Sequence, residues 1–164
     1  ALAVPFSADR AWQEPGMYPL NWEEAREMER STWVSFGAHT MNHPTLANLS
    51  DAAETQYEVS ECRVELEKQL GHPVRVFAYP IGKTEHIAEQ GLHAVKHAAY
   101  PWAVTSIHGV NTPRTDPHLL YRIVVDVDQH WLMVAAKASG LWDVLVHLGK
   151  MPLTLLRHTF KYTS

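Results

Sequence analysis

The feature that most constrains the fold is a long helical stretch fenced by two short apolar runs. Val59, Cys62, Leu66 and Leu70 fall at i, i+3, i+7 and i+11, which makes one apolar stripe along a helix. Ser50 or Asp51 starts it as N-cap, and Glu54 stands three residues after Asp51, where a capping box places its acid. Gly71 ends it and Pro73 follows. On either side lie Trp33 to Ala38 and Val74 to Tyr79, runs short and apolar enough to be strands.

The alternation extends along the chain. Ala1 to Phe6 reads as a strand and residues 7–19 as a loop with Pro15, Gly16 and Pro19; Asn21 caps a helix from Trp22 to about Arg30. Pro80-Ile81-Gly82 is a turn, Thr84 caps a helix running to about His97, and Ala103 to Ser106 is a strand. Asn111 to Pro117 is a loop, and Tyr121 to Val127 is a β-branched strand. Strands alternating with helices predict an α/β architecture with a largely parallel sheet. After Asp128 the character changes, so residues 1–128 are expected to form the main domain and 129–164 a helical C-terminal tail. Gln129 to Ser139 reads as a helix, Gly140 breaks it, and Leu141 to Leu148 continues it. Met151 to Ser164 carries Arg157 and Lys161 and no acid, which suits a packed or disordered tail or, as the sharper alternative, contact with a membrane surface or partner.

The chain has 164 residues, enough for one domain with a substantial core. A net charge of −4 without a basic stripe gives no reason to expect a nucleic-acid partner. The single cysteine, Cys62, rules out an internal disulfide and a cysteine-based zinc site, and suits a small buried hydrophobe. No stretch resembles a signal peptide or a membrane span. The chain starts at Ala1 without an initiator Met, which reads as a processed or truncated product and leaves the parent protein cytoplasmic or in the cell envelope.

Histidine is the compositional outlier, with 11 residues. Two of them, His39 and His43, stand four apart in Phe36-Gly-Ala-His-Thr-Met-Asn-His-Pro44, directly after an expected strand. Gly37 lets the backbone turn or come close to a neighbour, and Pro44 keeps His43 out of a long helix. One helical turn at the strand's end would put both imidazoles on one side as half of a metal site. A chance pairing in a histidine-rich chain is the competing reading.

His39-Thr-Met-Asn-His43-Pro44, followed by Leu46, Leu49-Ser50 and a helix, resembles the second motif of the NodB-like polysaccharide deacetylases, carbohydrate esterase family 4. Leu66-Glu67, Leu70-Gly-His-Pro-Val74 and Phe77-Ala-Tyr-Pro-Ile-Gly82 resemble the third motif as found in the poly-N-acetylglucosamine deacetylase branch. Ala103-Val-Thr105, Gly109-Val-Asn111, Asp116-Pro117 and Leu120-Tyr-Arg-Ile123 follow in order. The resemblance covers roughly Ala1 to Asp126. It implies an incomplete deformed (β/α) barrel with its site at the C-terminal strand ends. It also implies a Zn2+ or other divalent ion held by an Asp and two His, with His39 and His43 matching the two His. The implied reaction removes acetyl groups from a polysaccharide: a carboxylate takes a water's proton and a His protonates the leaving amine. Thr40 would shape the turn by hydrogen bonding. Tyr79 and Pro80 would line the groove, with the Tyr79 ring or N–H near the acetyl oxygen, unless Tyr79 is a plain packing aromatic.

The departures narrow this. The family's Thr-Phe-Asp-Asp-Gly motif, source of the base and the third ligand, is absent, and Ala78 replaces an Arg common in the family. Asp9, Asp126 and Asp128 are the carboxylates expected at strand ends, and His108 and His130 are the candidates for the acid. A barrel without its first strand has unpaired edges, which rearrangement or a second copy of the chain would cover. The alternative to catalysis is a sugar-binding or scaffold remnant, with Trp12, Trp22, Trp33, Tyr79 and Trp102 available to stack on sugars.

Overall fold

The computed structural model describes residues 20–125 and 128–147. Its elements are α1 (Trp22–Arg30), α2 (Ala52–Leu70), β1 (Val76–Ala78), α3 (Thr84–His97), β2 (Trp102–His108), β3 (Leu120–Arg122), α4 (Trp131–Ala138) and α5 (Leu141–His147). A single 3-10 turn, Leu46–Asn48, precedes α2. The strands form one sheet in the order β1-β2-β3, with both pairings parallel. Ala38 adds an isolated parallel bridge to Phe77 on the outer side of β1. This is the α/β architecture expected from the alternation, with helices at its C-terminal end.

Helix boundaries follow local chemistry. Asn21 accepts from the N–H groups of Glu23 and Glu24, while the Glu24 carboxylate accepts from the Asn21 N–H, a complete capping box. Asp51 caps α2 through the Ala53 N–H, and Gly71 closes it at φ 79°. Lys83, rather than Thr84, occupies the N-cap of α3 and makes no side-chain cap bond. That helix is also broken at Ala88 (φ 53°), so only its later part, from Glu89, runs regularly to His97.

Three expected strands shrink, the run Val74 to Tyr79 to the three residues of β1. Trp33 to Ala38 contributes only the Ala38 bridge, because Trp33 is 92% exposed and has nothing to pack on. Gly37 does permit a close approach: a Cβ there would stand 2.9 Å from the Val76 carbonyl oxygen. The last strand is Leu120–Arg122 rather than Tyr121 to Val127; Val124 and Val125 are half exposed, and the pairing slips between Val104 and His108. The expected strand at Ala1 to Phe6, Asp9, Trp12, Asp126 and the tail from Met151 lie outside the described residues.

The core lies between the sheet and α2 and α3. Val59, Cys62 and Leu66 from α2 meet Phe77, Tyr79, Ala103, Val95 and Tyr100. Each fully buried large side chain contributes roughly 1.5–3 kcal/mol by leaving water. Burial also pushes the Cys62 thiol up to about 11, so it is an inert packing group, as its place on the apolar stripe predicts. Polar bonds fix the layers: the Tyr100 hydroxyl donates to the Val59 carbonyl at 3.0 Å, and Gln90 donates to the Leu46 and Leu49 carbonyls. Helix α4 is tied to the segment that follows β3 by Lys137, whose Nζ donates to the Val124 carbonyl at 2.9 Å. Among the described residues no helix is long and apolar enough to cross a membrane.

One surface pair makes stability depend on pH. His72 Nε2 donates to Glu29 Oε2 at 2.7 Å, joining the segment after α2 to α1. That bond to Glu29 raises the His72 pKa above its ordinary value. The contribution is therefore fully present below the unfolded value near 6.5 and fades as pH rises through the higher folded value. His72→Ala is expected to lower the urea midpoint at pH 5.5 and to leave it nearly unchanged at pH 8.5. The effect is at most about 1 kcal/mol, because half the imidazole faces solvent. Equal losses at both pH values would refute the linkage.

Candidate active site

Parallel pairing puts the C-terminal ends of Ala38, β1 and β2 on one side of the molecule. His39 begins the turn after Ala38, Tyr79 to Gly82 follow β1, and His108 ends β2. The histidine turn is not helical. It is built from two left-handed residues, Thr40 (φ 66°) and His43 (φ 58°). A β-branched residue at positive φ is costly and persists only where its surroundings hold it.

Two sets of bonds hold it. Thr40 is fully buried; its hydroxyl donates to the His39 carbonyl at 2.6 Å and accepts from the His43 N–H at 3.1 Å, the turn-shaping role expected of it. The second clamp is Glu58 of α2, only 5% exposed. Its Oε2 accepts from the Met41 and Asn42 N–H groups at 2.9 and 2.8 Å, and its Oε1 from the Asn42 side-chain amide at 2.7 Å. The sequence reading missed Glu58. The signal was present: an acid three after Thr55 and four before Cys62, on the stripe that otherwise enters the core.

The turn brings the two imidazoles together, with ring centres 4.8 Å apart and planes at 65°. His39 Nδ1 lies 2.6 Å from the Ala78 carbonyl oxygen. Because a carbonyl only accepts, Nδ1 carries the proton and Nε2 keeps its lone pair in the neutral ring. Burial lowers the His39 pKa, which also favours the neutral form. A metal-binding histidine needs a neutral ring whose second nitrogen is held by a carbonyl or carboxylate. The pair thus fits two ligands of a divalent site. Among the described residues no group of three or more His, Cys, Asp or Glu comes together to complete one.

The other expected site residues are placed as follows. Tyr79 is 1% exposed, with its hydroxyl donating to the His118 carbonyl at 3.0 Å and its N–H to the Val104 carbonyl at 3.2 Å. Both polar groups are committed within the chain, and the ring packs edge-on against Phe77. Pro80 is buried in the turn after β1. His108 donates from Nε2 to Asp143 of α5 at 3.1 Å. His130 caps α4, its Nδ1 accepting from the Leu132 N–H at 3.3 Å. Asp128 is in an exposed turn. Neither histidine is hydrogen-bonded to the histidine turn.

Comparison with known proteins agrees with this geometry. The polysaccharide deacetylase family model matches residues 3–100, more than half of the chain. A Streptococcus pyogenes deacetylase, PplD, solved with acetate, superposes with a TM-score of 0.59 at 26% identity, over 66% of this chain and 46% of its own. IcaB from Ammonifex degensii gives 0.65 at 23% identity, over 78% and 57%. A polysaccharide deacetylase from Bacillus cereus gives 0.63 at 22% identity, over 75% and 38%. The chain therefore spans about half the length of these structures or less, and its sheet is part of the same deformed barrel. No curated protein sequence matches it. Parallel strands that present a braced histidine pair at their C-terminal ends, together with the matching family model, lead to one conclusion: the chain belongs to the polysaccharide deacetylase family.

Proposed function

We propose that the chain carries the two-histidine part of a divalent-metal site that hydrolyses acetyl groups from an N-acetylglucosamine-type polysaccharide. The observation that carries this is the bond from His39 Nδ1 to the Ala78 carbonyl, which leaves Nε2 for a ligand beside His43. A zinc-class ion, when bound, supplies the positive charge that polarises an acetyl carbonyl and acidifies a water. The chain's own residues do the rest. His39 and His43 would hold the ion, while Ala78 fixes the His39 tautomer and Thr40 and Glu58 hold the turn that carries both rings. A carboxylate must take the water's proton and complete the ligand set; Asp9, Asp126 and Asp128 are this chain's candidates. His108 and His130 remain candidates for the acid, and for His108 this role requires release from Asp143. Residues 1–128 constitute the deacetylase portion in this reading, and 129–164 an appended segment.

The test measures zinc uptake by the metal-free chain and acetate release from N-acetylglucosamine oligomers. Zinc binding is expected to weaken in His39→Ala and in His43→Ala by more than the roughly 10–100-fold typical of losing an outer partner. Acetate release should fall with it. Absence of uptake for every divalent ion would exclude catalysis by this chain. Saturable glycan binding without acetate release would select the sugar-binding reading instead.

A further inference from the structure

A second histidine pair lies on α3, remote in sequence from the histidine turn. His93 and His97 are four apart in the regular part of the helix, which places them one turn apart on one face. The helix is anchored on the core: Ile87, Gly91, Ala94 and Val95 are buried, Gln90, one turn before His93, is bonded to the Leu46 and Leu49 carbonyls, and His93 and His97 are exposed. The helix therefore cannot roll, and both imidazoles stay on the solvent side. Their rings are stacked, with centres 6.3 Å apart and planes within 16°. His39, His72, His108 and His118 each have a ring nitrogen bonded to a protein oxygen; none of those bonds involves His93 or His97.

We infer that His93 and His97 form a second, solvent-facing chelate for a first-row divalent transition ion, separate from His39 and His43. Two ring nitrogens must each come within roughly 2.0–2.1 Å of a shared ion. Both rings are exposed and one helical turn apart, so side-chain rotation is the movement the chelate calls for. The backbone favours it too: the pair occupies the last turns of α3, where the partial negative charge of the helix end attracts a cation. Lys96, the nearest competing cation in sequence, is drawn to Asp116 at 3.2 Å. Imidazole donors select Cu2+ over Ni2+ and Zn2+ and discriminate against Ca2+ and Mg2+, which want oxygen. Two protein ligands leave the remaining positions to water, so the ion exchanges readily. Binding an ion across the final turn also stabilises the native helix in proportion to occupancy.

The experiment uses the 164-residue chain in a His39→Ala/His43→Ala background, so that its outcome is independent of the proposed active site. Calorimetric titration with Cu2+ is expected to show one equivalent bound, accompanied by a rise in melting temperature and by nitrogen hyperfine structure in the copper resonance spectrum. Adding either His93→Ala or His97→Ala should weaken that equivalent at least about tenfold, and adding both should do little more, because a chelate is lost with its first arm. Circular dichroism should show the same helix content in all variants. Copper uptake that is unchanged by the added double substitution would overturn the inference. So would losses that simply add between the two single variants.

Discussion

Glu58→Ala is expected to lower the unfolding free energy by about 2–4 kcal/mol, seen as a drop in the urea midpoint at unchanged slope. The carboxylate is the acceptor for the Asn42 N–H and amide, and for the Met41 N–H together with the Glu58 carbonyl at 3.1 Å. Alanine keeps only that carbonyl. Hydrogen bonds to a charged acceptor are each worth about 1.5–3 kcal/mol net, and water can recover some of the loss because Asn42 is exposed. Against a typical total of about 5–15 kcal/mol the loss is severe. Glu58→Gln should fall between, since one amide oxygen still accepts while its NH2 faces another donor. The turn between the left-handed Thr40 and His43 is what Glu58 braces, so the zinc affinity proposed for the pair should fall by roughly 10–100-fold as well. An Ala variant with the wild-type midpoint would show that the strained turn needs no brace from α2.

Gly82→Ala should be comparably damaging, by about 3 kcal/mol, for a different reason. Gly82 has φ +71°, and a Cβ there would stand 2.7 Å from the Ser106 backbone nitrogen. The left-handed conformation alone costs a residue with a Cβ about 1–2 kcal/mol. The overlap adds more, because the obstacle is the backbone of β2: the Ser106 N–H donates to the Gly82 carbonyl at 2.8 Å, and the Ser106 hydroxyl donates to the Ile81 carbonyl. Relief requires moving the turn after β1 away from the sheet, and that turn carries Pro80. Gly71→Ala is the control: it has a similar φ of +79° but open space around it, so its loss should stay near the conformational cost alone. Equal midpoints for the two variants would mean that the contact with Ser106 yields freely.

Much of the fold is legible because it rests on local chemistry. The caps at Asn21 and Asp51, the stop at Gly71, the stripe Val59-Cys62-Leu66 and the break at Gly140 act within a few residues, and each lies close to its expected place. Strand extent was less legible. Whether Trp33 to Phe36 or Val124 and Val125 join a sheet depends on a neighbour that only the assembled fold provides, and here Ala38 and Arg122 end the pairing. Tyr79 shows the same limit within the site. Its position after β1 was readable, whereas the commitment of its hydroxyl to His118 and its N–H to Val104 was not.

The histidine pair divides in the same way. The amino-acid sequence by itself determined that two imidazoles stand four apart after a short apolar run and before a capped helix. That much follows from spacing and composition. Only the tertiary structure decided that a left-handed turn, not a helical one, brings them together, that the Ala78 carbonyl sets the His39 tautomer, and that a buried acid on α2 braces the loop. The physical reason is separation along the chain: Ala78 is 39 residues from His39, and Glu58 is 16 from Asn42. Hydrogen bonds over such distances exist only once packing has placed both partners.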